Sequence, residues 1–442
     1  MARLALAGGA PVRTKAFTQW PDFDERERTL LLEALEARNW GGYPFPNTLA
    51  ERFASEFAAA HDVRHAFAVA NGTIAIEIAL KAAGLRPGDE VILPAYTFEA
   101  SAAPVLRLEA VPVFVDVLPA TWCIDPTATE AAITSRTRAI LPVHLAMCMA
   151  DMDALAAIAE RHKLAVIEDC AHAHGAKWKH QGAGSLGRAG AFSLQTTKLL
   201  TGGEGGVVTT DDDETAERAE SYIDCGRASR RDQFGHRLLG FNYRLTELQA
   251  AVLIGQLEKL PGQSARRSQR AERLGRALDG IEGLALVEPD PRQTTSAIYH
   301  YVFRYDATAF GGASRDRFVA ALEAEGIPCD GLFCEPVYRS SMFTVDPGDF
   351  RALEGRLPWA EVRCPVTERA AYEESVWLHH RLLLGSEREV DDIVEAIGKI
   401  RDNLDELCTV EHRLIELKSM NRADRDRAMR EEGMRTPFTV KS

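Results

Sequence analysis

The stretch RAILPVHLAMCMADMDALAAIAERHKLAVIEDC (residues 138–170) decides the fold of this chain. Two apolar runs, RAILPVHL (138–145) and LAVIEDC (164–170), flank the amphipathic segment DMDALAAIAERHK (151–163). The runs are too apolar for strands with one face in water, so they predict strands buried on both faces. A buried strand, a helix and a second buried strand predict a βαβ unit with parallel strands.

The same alternation continues on both sides of this unit. Further apolar runs of strand length are DEVILPA (89–95), VPVFVDV (111–117), AGAFSLQ (189–195) and GGVVTT (205–210). Strands that alternate with helices favour an α/β fold with a mostly parallel central sheet.

The pattern changes toward the C-terminus. The helical stretch YRLTELQAAVLIGQLEKL is expected to end at Pro261, and a basic helix follows it. After residue 285 the strand-like runs are more broken and the helices fewer, which predicts a second, smaller α+β domain. We therefore expect an N-terminal segment (1–30) packing with the small domain, a large domain (31–268), a small C-terminal domain (269–408) and a charged tail (409–442) that forms a peripheral helix and a loose end.

Composition limits the classes of function. The chain has 442 residues, of which 46% are hydrophobic, and a formal charge of −13. This is the profile of a soluble globular protein, and the acidic balance argues against nucleic acid as a partner. The given start has no long apolar core followed by a cleavage site, so we expect no signal peptide, and no run is long and apolar enough to span a bilayer. The eight cysteines include no CxxC pair, so we expect reduced thiols in a cytoplasmic protein without a membrane partner.

The first segment that suggests chemistry is Asn71-Gly72-Thr73. It follows the strand-like AFAVA and precedes the helical IAIEIALKAAG. Asn71 suits a helix N-cap, and Gly72 lets a ligand approach the backbone. The free N–H groups of such a helix start, with the helix dipole, favour an anion such as phosphate. Taken alone, this motif is better explained by an ordinary capped helix.

The second segment is LAVIEDCAHAHGA (164–176), in which Asp169 ends a predicted buried strand. Ligands of open α/β sheets collect at this end of the strands, and a carboxylate there needs a cation or several donors. A structural ion pair is one alternative. A metal site built from Glu168, Asp169, His172 and His174 is another. We expect no metal, because these four side chains would have to converge from a strand end into a turn.

The third segment is AFSLQTTKLLTGGEGGVVTT (191–210), with Lys198 between two apolar strands and a glycine-rich turn directly after it. No GK[ST] follows the glycines, so this is not a P-loop. A surface lysine beside a hairpin is the plain interpretation. The glycines and Ser193, however, allow close backbone approach around a buried amine, which is a setting for a nucleophilic lysine.

A fourth segment, GFNYRLTELQAA (240–251), opens a long helix, with Asn242 and Arg244 at its anion-favouring start. Each of the four signals is modest alone, but together they match one cofactor. Pyridoxal 5′-phosphate (PLP) needs donors for its phosphate, an acid partner for its pyridine nitrogen and a lysine for its aldehyde.

These residues carry a resemblance to a known family. The sequence resembles the DegT/DnrJ/StrS group of PLP-dependent sugar and cyclitol aminotransferases, which have the aspartate aminotransferase fold (fold type I). The resemblance runs from about residue 38 to about residue 400. It passes in order through ANGTIAIEIAL, GDEVILPAYTF, PVHL, IEDCAHAHGA, AFSLQTTKLLTGGEGG, GFNYRLTELQAA and CPVTERAAYEESVWL.

The resemblance implies a role for each matching residue. Lys198 binds the PLP aldehyde as an imine, Asp169 pairs with the pyridine nitrogen, and Phe98 stacks on the ring. The phosphate is held by Gly72, Thr73 and Ser193. It is also reached by Asn242 of the neighbouring subunit, with help from Arg244, so a homodimer with shared active sites is implied.

Two departures from the family pattern point to a branch. His172 stands where sugar aminotransferases often have Gln, and is expected to bond the cofactor's phenolic oxygen or pack on the ring. After PVHL the chain reads Ala146-Met147-Cys148-Met149 instead of an aromatic, a glycine and a proline. The sequence looks most like cyclitol aminotransferases and 3-amino-5-hydroxybenzoate synthases.

The resemblance thus implies transfer of an amino group from L-glutamine or L-glutamate to a ketone on a cyclitol or sugar ring, in antibiotic-type secondary metabolism. A 3-amino-5-hydroxybenzoate synthase activity and a nucleotide-ketosugar aminotransferase are the alternatives. Weaker candidates for substrate contacts are His144, Tyr301, Glu335 and Tyr338, the last two in the segment CDGLFCEPVYR (329–339).

Overall fold

The computed structural model of the 442-residue chain describes residues 2–42, 47–229, 232–343, 350 and 359–431. Its strands are β1 His65–Val69, β2 Glu90–Pro94, β3 Val111–Val115, β4 Thr137–Ile140, β5 Ala165–Asp169, β6 Lys177–Trp178, β7 Gln181–Gly182, β8 Ala189–Ser193, β9 Gly206–Thr210, β10 Arg227–Ser229, β11 Asp232–His236, β12 Leu284–Leu286, β13 Gln293–Thr295, β14 His300–Tyr305, β15 Cys329–Asp330 and β16 Ser375–His379.

Its α-helices are α1 Glu25–Ala37, α2 Thr48–Ala60, α3 Gly72–Ala82, α4 Ala103–Arg107, α5 Pro126–Ala131, α6 Met152–His162, α7 Asp213–Ile223, α8 Glu247–Leu278, α9 Arg315–Ala324, α10 Pro365–Arg369, α11 Glu387–Arg401, α12 Leu404–Thr409, α13 Arg413–Lys418 and α14 Arg422–Glu431. Short 3-10 turns cover Ala5–Ala7, Glu99–Ser101, Ala307–Phe310, Val337–Arg339, Ser341–Phe343, Trp359–Glu361 and His380–Leu383, and a π-helical turn covers Ala370–Glu374.

The unit predicted from residues 138–170 is present as β4, α6 and β5. The two strands pair in parallel, with Ala139 opposite Ala165 and Ile140 opposite Val166. Helix α6 begins where the Asp151 carboxylate accepts a hydrogen bond from the Ala154 amide. Beyond β4 the chain stays extended, and the His144 amide donates to the Asp169 carbonyl. This continuation brings the end of the first apolar run beside the end of β5.

A seven-stranded sheet forms the centre of the large domain, in the order β1-β9-β8-β5-β4-β2-β3. Neighbours from β8 to β3 pair in parallel, whereas β9 is antiparallel to both β8 and β1. This confirms the predicted α/β fold with a mostly parallel sheet. The carboxyl ends of β2, β4, β5 and β8 therefore lie along one edge.

The C-terminal part has its own sheet of four strands, in the order β12-β14-β16-β15, and every pair in it is antiparallel. Helices α9 and α11 pack against this part. The N-terminal segment joins it, because Arg13 forms ion pairs with Glu389 and Asp392 and the Leu4 amide donates to Glu406.

Helix α8 corrects one expectation. It runs without a break from Glu247 to Leu278, with Pro261 inside it, so the expected end at Pro261 is wrong. A proline removes one amide donor from the helix, and packing of α8 against α1, α2 and α11 offsets that loss. The domain boundary expected at residue 268 falls inside this helix.

The tail is ordered further than a peripheral helix with a loose end. Helices α13 and α14 follow α12, and Leu417 and Met429 of these helices are buried. Residues 432–442 lie outside the described residues. Among the helices that the structure describes, none combines the length and apolar character needed to cross a bilayer.

Candidate active site

Lys198 lies in the turn that follows β8, at the carboxyl-end edge of the central sheet. Its Nζ stands 4.5 Å from the centroid of the Tyr299 ring. The Tyr299 hydroxyl hydrogen-bonds Thr197 Oγ1 at 2.9 Å, and His380 Nε2 donates to the Thr197 carbonyl at 3.0 Å. The turn that presents the lysine is thus held from the C-terminal part of the chain.

Asp169 occupies the last position of β5, the strand next to β8. It is buried, and its carboxylate accepts hydrogen bonds from Ser101 Oγ (2.7 Å) and from the Ala171 amide (3.1 Å). Burial raises the pKa of Asp169, and these two bonds and the charge of Lys198 oppose that rise. A cation at the free side of the carboxylate would complete its pairing.

Helix α3 begins at Gly72, directly against the end of β8. Asn71 caps the helix by accepting a hydrogen bond from the Ile74 amide at 2.9 Å. The amides of Gly72 and Thr73 have no acceptor within the helix, because they belong to its first turn. A Cβ on Gly72 would lie 2.6 Å from Ser193 Cβ, so only glycine lets these two backbones approach. The arrangement offers amides and a hydroxyl to an anion.

Phe98 and His172 are the two ring-bearing residues expected to contact the cofactor. The Phe98 side chain follows β2 and is 48% exposed. The His172 ring stacks on Tyr299 with centroids 4.0 Å apart. The Ala146 amide donates to His172 Nδ1, and burial places the pKa of this histidine well below its usual range, so the neutral ring carries its proton on Nε2.

Asn242 and Arg244 lie shortly before the start of α8. Asn242 is exposed, between Phe241 (49% exposed) and the paired Arg244. The Arg244 guanidinium forms an ion pair with Asp224 and contacts Cys225 Sγ at 3.8 Å. Arg244 is therefore engaged within its own chain, whereas Asn242 faces outward from this chain.

Two of the four weaker substrate candidates, His144 and Tyr338, are hydrogen-bonded within the protein. His144 is buried, with Nε2 bonded to Glu168 at 3.1 Å and Nδ1 accepting from the Ala150 amide, so neither ring nitrogen is left for a substrate. The Tyr338 hydroxyl donates to Glu368 at 2.7 Å and accepts from the Cys364 amide.

Tyr301 is buried against helix α8. The Tyr301 hydroxyl lies beside Gly275 of α8, since a Cβ on that glycine would be 3.2 Å from it. This position corrects the expectation for Tyr301, because the tyrosine beside Lys198 is Tyr299. Glu335 is half-buried in the segment 329–339.

Three side chains of types that bind metal ions also lie close together. They are His144, Glu168 and Cys170, and their potential ligand atoms lie within 4.8 Å of one another. Glu168 already accepts three backbone amides, from Gly184, Leu186 and Gly187, as well as His144. The group is therefore a satisfied hydrogen-bond cluster that ties the loop after β7 to β5.

Sequence reasoning missed Ser101, Tyr299 and Phe333. Ser101 belongs to the stretch that follows Phe98, and nothing local indicates that it reaches Asp169, which is 68 residues away. Phe333 packs on Trp377 with centroids 4.8 Å apart and lies 6.3 Å from His172. The local signal for Phe333 was its place in the segment 329–339, which also holds the candidate substrate residues Glu335 and Tyr338.

Comparison with known proteins agrees with this geometry. Residues 21–398 match the sequence model of the DegT/DnrJ/EryC1/StrS aminotransferase family. A Streptoalloteichus tenebrarius protein, provisionally named L-glutamine:3-amino-2,3-dideoxy-scyllo-inosose aminotransferase, is 47% identical over 91% of this chain and 99% of its own length. The L-glutamine:scyllo-inosose aminotransferase of Streptomyces griseus is 40% identical over 91% of this chain and 99% of its own length.

Among solved structures, that of 3-amino-5-hydroxybenzoic acid synthase is 38% identical to this chain. The match has a TM-score of 0.77 and covers 88% of this chain and 99% of the synthase. The likeness extends through both sheets, so the fold is that of the PLP-dependent transferases of fold type I.

Proposed function

We propose that this chain, which belongs to the DegT/DnrJ/EryC1/StrS aminotransferase family, binds PLP at Lys198 and transfers the amino group of L-glutamine to the ring ketone of a cyclitol. The observation that carries the proposal is the position of Lys198 Nζ, 4.5 Å from the Tyr299 ring that stacks on His172. Asp169 stands at the end of the adjacent strand.

The residues around Lys198 fit PLP in three places. The close approach of Gly72 to Ser193 leaves the first amides of α3 free for a phosphate. The buried carboxylate of Asp169 would take a protonated pyridine nitrogen as its cation. When bound, PLP supplies an electron sink for the charge that develops at the donor Cα.

Each side chain of the site would have a separate role in the proposed reaction. The Lys198 amine would act as general base on the donor Cα and, as the resulting acid, would return that proton within the same half-reaction. Asp169 would favour a protonated pyridine nitrogen by stabilising its positive charge. The His172 Nε2–H group would be the donor available to a phenolic oxygen. Gly72, Thr73 and Ser193 would hold the phosphate and so orient the cofactor relative to Lys198.

The acceptor is proposed from the named relatives and from the chemistry of the site. Both relatives described above are named for inososes as acceptors and L-glutamine as donor. Burial holds the pKa values of His172 and His380 well below the usual range, so these two histidines near Tyr299 are neutral, which suits an uncharged polyhydroxylated ring. We place 3-amino-2,3-dideoxy-scyllo-inosose before scyllo-inosose, because its named relative is the more similar of the two.

The assembly and location are part of the same proposal. Asn242 on one subunit would reach the phosphate of the next, in a homodimer with shared sites, and Leu239 (82% exposed) beside it would be covered there. All eight cysteines are free thiols, which suits a cytoplasmic enzyme.

The test is a panel of ketocyclitols and ketosugars with L-glutamine, L-glutamate and L-alanine as donors, read by mass spectrometry. Amination of an inosose with L-glutamine is expected, and Lys198→Ala serves as the inactive control. Formation of an aromatic product from an amino-dehydroshikimate, without amination of any ketocyclitol, would instead assign 3-amino-5-hydroxybenzoate synthase activity.

A further inference from the structure

The charged tail reaches a buried carboxylate that lies close to the active site. Arg425 of α14 donates to both oxygens of Asp330, at 2.9 Å and 3.3 Å. The side chains of this pair are only 8% and 6% exposed. A two-point contact between a guanidinium and a carboxylate fixes direction as well as distance.

A second tail residue, Lys418 of helix α13, contacts the residue next to Asp330. The buried Lys418 donates from Nζ to the Cys329 carbonyl at 3.4 Å and pairs with Glu323 at 2.8 Å. Burial favours neutral forms, but the charges of Lys418 and Arg425 hold the pKa of Asp330 below its usual range. Asp330 is thus ionised and surrounded by tail cations.

Asp330 is the second residue of the segment 329–339, which we call the Asp330 segment. Its carboxylate also accepts from the amides of Gly331 and Leu332, so it sets the turn by which the segment leaves β15. Arg315 holds the same turn from the other side by donating to the Gly331 carbonyl at 2.5 Å.

The middle of the segment forms a wall of the active site. Phe333 stacks on Trp377 and contacts the His300 ring, with centroids 4.8 Å and 4.4 Å apart. Phe333 also lies 6.2 Å from Tyr299, the ring beneath Lys198 Nζ.

The far end of the segment joins the loop that carries Phe98. Pro336 forms a β-bridge with Tyr96, and the Val337 amide donates to the Ala95 carbonyl at 2.9 Å. The Asp330 segment therefore spans the distance from the tail to the loop of Phe98, with the substrate side of the site between its ends.

We propose that Arg425 and Lys418 are positioning residues, which hold the Asp330 segment against the substrate side of the active site and so set the affinity for both substrates. Under the proposed function the donor and the acceptor bind in turn at Lys198. A displaced Asp330 segment would therefore lower the affinity for both substrates. Loss of Arg425 removes both guanidinium hydrogen bonds from the buried Asp330 carboxylate and leaves only the charge of Lys418 nearby, so we expect the turn after β15 to open and hydrate the carboxylate.

The test compares Arg425→Met with Arg427→Met, a matched control on the same helix whose side chain is 68% exposed and pairs with Asp424 at 3.7 Å. Arg425→Lys is the conservative variant that restores a cation. The double variant Asp330→Asn with Arg425→Met removes both charges together, and it is measured if the single variant fails to fold.

Hydrogen–deuterium exchange is the first readout, because it needs no substrate. Amides of the Asp330 segment are expected to exchange at least about tenfold faster in Arg425→Met than in the control, with β5 and β8 unchanged. Unchanged exchange in the segment would overturn the proposal.

Kinetics are the second readout. In Arg425→Met the KM values for donor and acceptor should rise about tenfold, with kcat within about twofold, and Arg425→Lys should recover most of the loss. A lower melting temperature with unchanged KM values would mean a stabilising role only and would overturn the proposal. The donor half-reaction is followed by cofactor absorbance, so failure to aminate any cyclitol would count against the proposed function and not against this inference.

Discussion

At the scale of single residues, the site depends on two groups of opposite charge, Asp169 at the end of β5 and Lys198 in the turn after the adjacent strand β8. Asp169 is buried, and burial alone would favour its protonated form. The hydrogen bond from Ser101 and the charge of Lys198 counter that tendency. The proposed chemistry requires an ionised Asp169, so the small groups that keep it charged matter as much as the carboxylate itself.

Replacement of Lys198 tests the cofactor assignment. Lys198→Ala is expected to lose the long-wavelength absorbance of bound PLP and to lower kcat by at least about 10³-fold, because the covalent tether and the proton carrier are both removed. Lys177→Ala is a suitable control, since that lysine pairs with Asp62 at the surface. An unchanged absorption spectrum would exclude Lys198 as the PLP lysine.

The hydrogen bond from Ser101 predicts a pH effect. It lowers the pKa of Asp169, so Ser101→Ala should raise that pKa. Activity requires the carboxylate, and the rate therefore falls as the pH drops through the pKa of Asp169. The acid limb of the kcat/KM profile should move to higher pH in Ser101→Ala, whereas the alkaline limb should stay in place. A shift of the acid limb to lower pH would contradict this role.

At the scale of elements, helix α8 connects the two parts of the molecule. It packs against α1 and α2 near its start and against α11 near its end. Its length depends on this packing, because Pro261 and Gly262 stand together at its centre and both disfavour helix. Gly255 and Gly262, both inside α8, offer a matched test of the balance between packing and helix propensity.

Gly262→Ala should stabilise the protein, and Gly255→Ala should destabilise it. A Cβ on Gly262 meets no atom within 4 Å, so alanine lowers the entropy cost and should raise the free energy of unfolding by about 0.5–1 kcal/mol. A Cβ on Gly255 would lie 2.9 Å from Glu27 Cγ, whose carboxylate caps α1. Denaturant unfolding of both variants measures the difference, and equal shifts would show that packing at Gly255 is not tight.

At the scale of the whole molecule, the position of Asn242 predicts shared active sites. Asn242 is exposed and lies three residues after the exposed Leu239. A residue that serves the neighbouring subunit would be placed in this way. The same surface would then be covered by assembly.

Mixing two inactive variants tests that arrangement. Lys198→Ala and Asn242→Asp should each have low activity alone, but co-refolded subunits should regain up to about a quarter of the wild-type rate, since half of the dimers have one intact site. Analytical ultracentrifugation checks that both variants assemble. Absence of any regained activity in mixed dimers would place Asn242 at the site of its own subunit.

The sequence by itself determined the parts that depend on neighbours along the chain. The βαβ unit at 138–170, the strands around it and the cap at Asn71 follow from apolar periodicity and local hydrogen bonding, which act over a few residues. The same local signals placed Lys198 and Asp169 at the ends of strands, where the fold brings them together.

Only the tertiary structure decided which distant side chains complete the site. Tyr299 in place of Tyr301, Ser101 on Asp169, the continuous α8 through Pro261 and the tail cations on Asp330 all depend on contacts between segments far apart in sequence. Local pattern carries no information about such contacts, because their free energy comes from packing and desolvation across the whole fold.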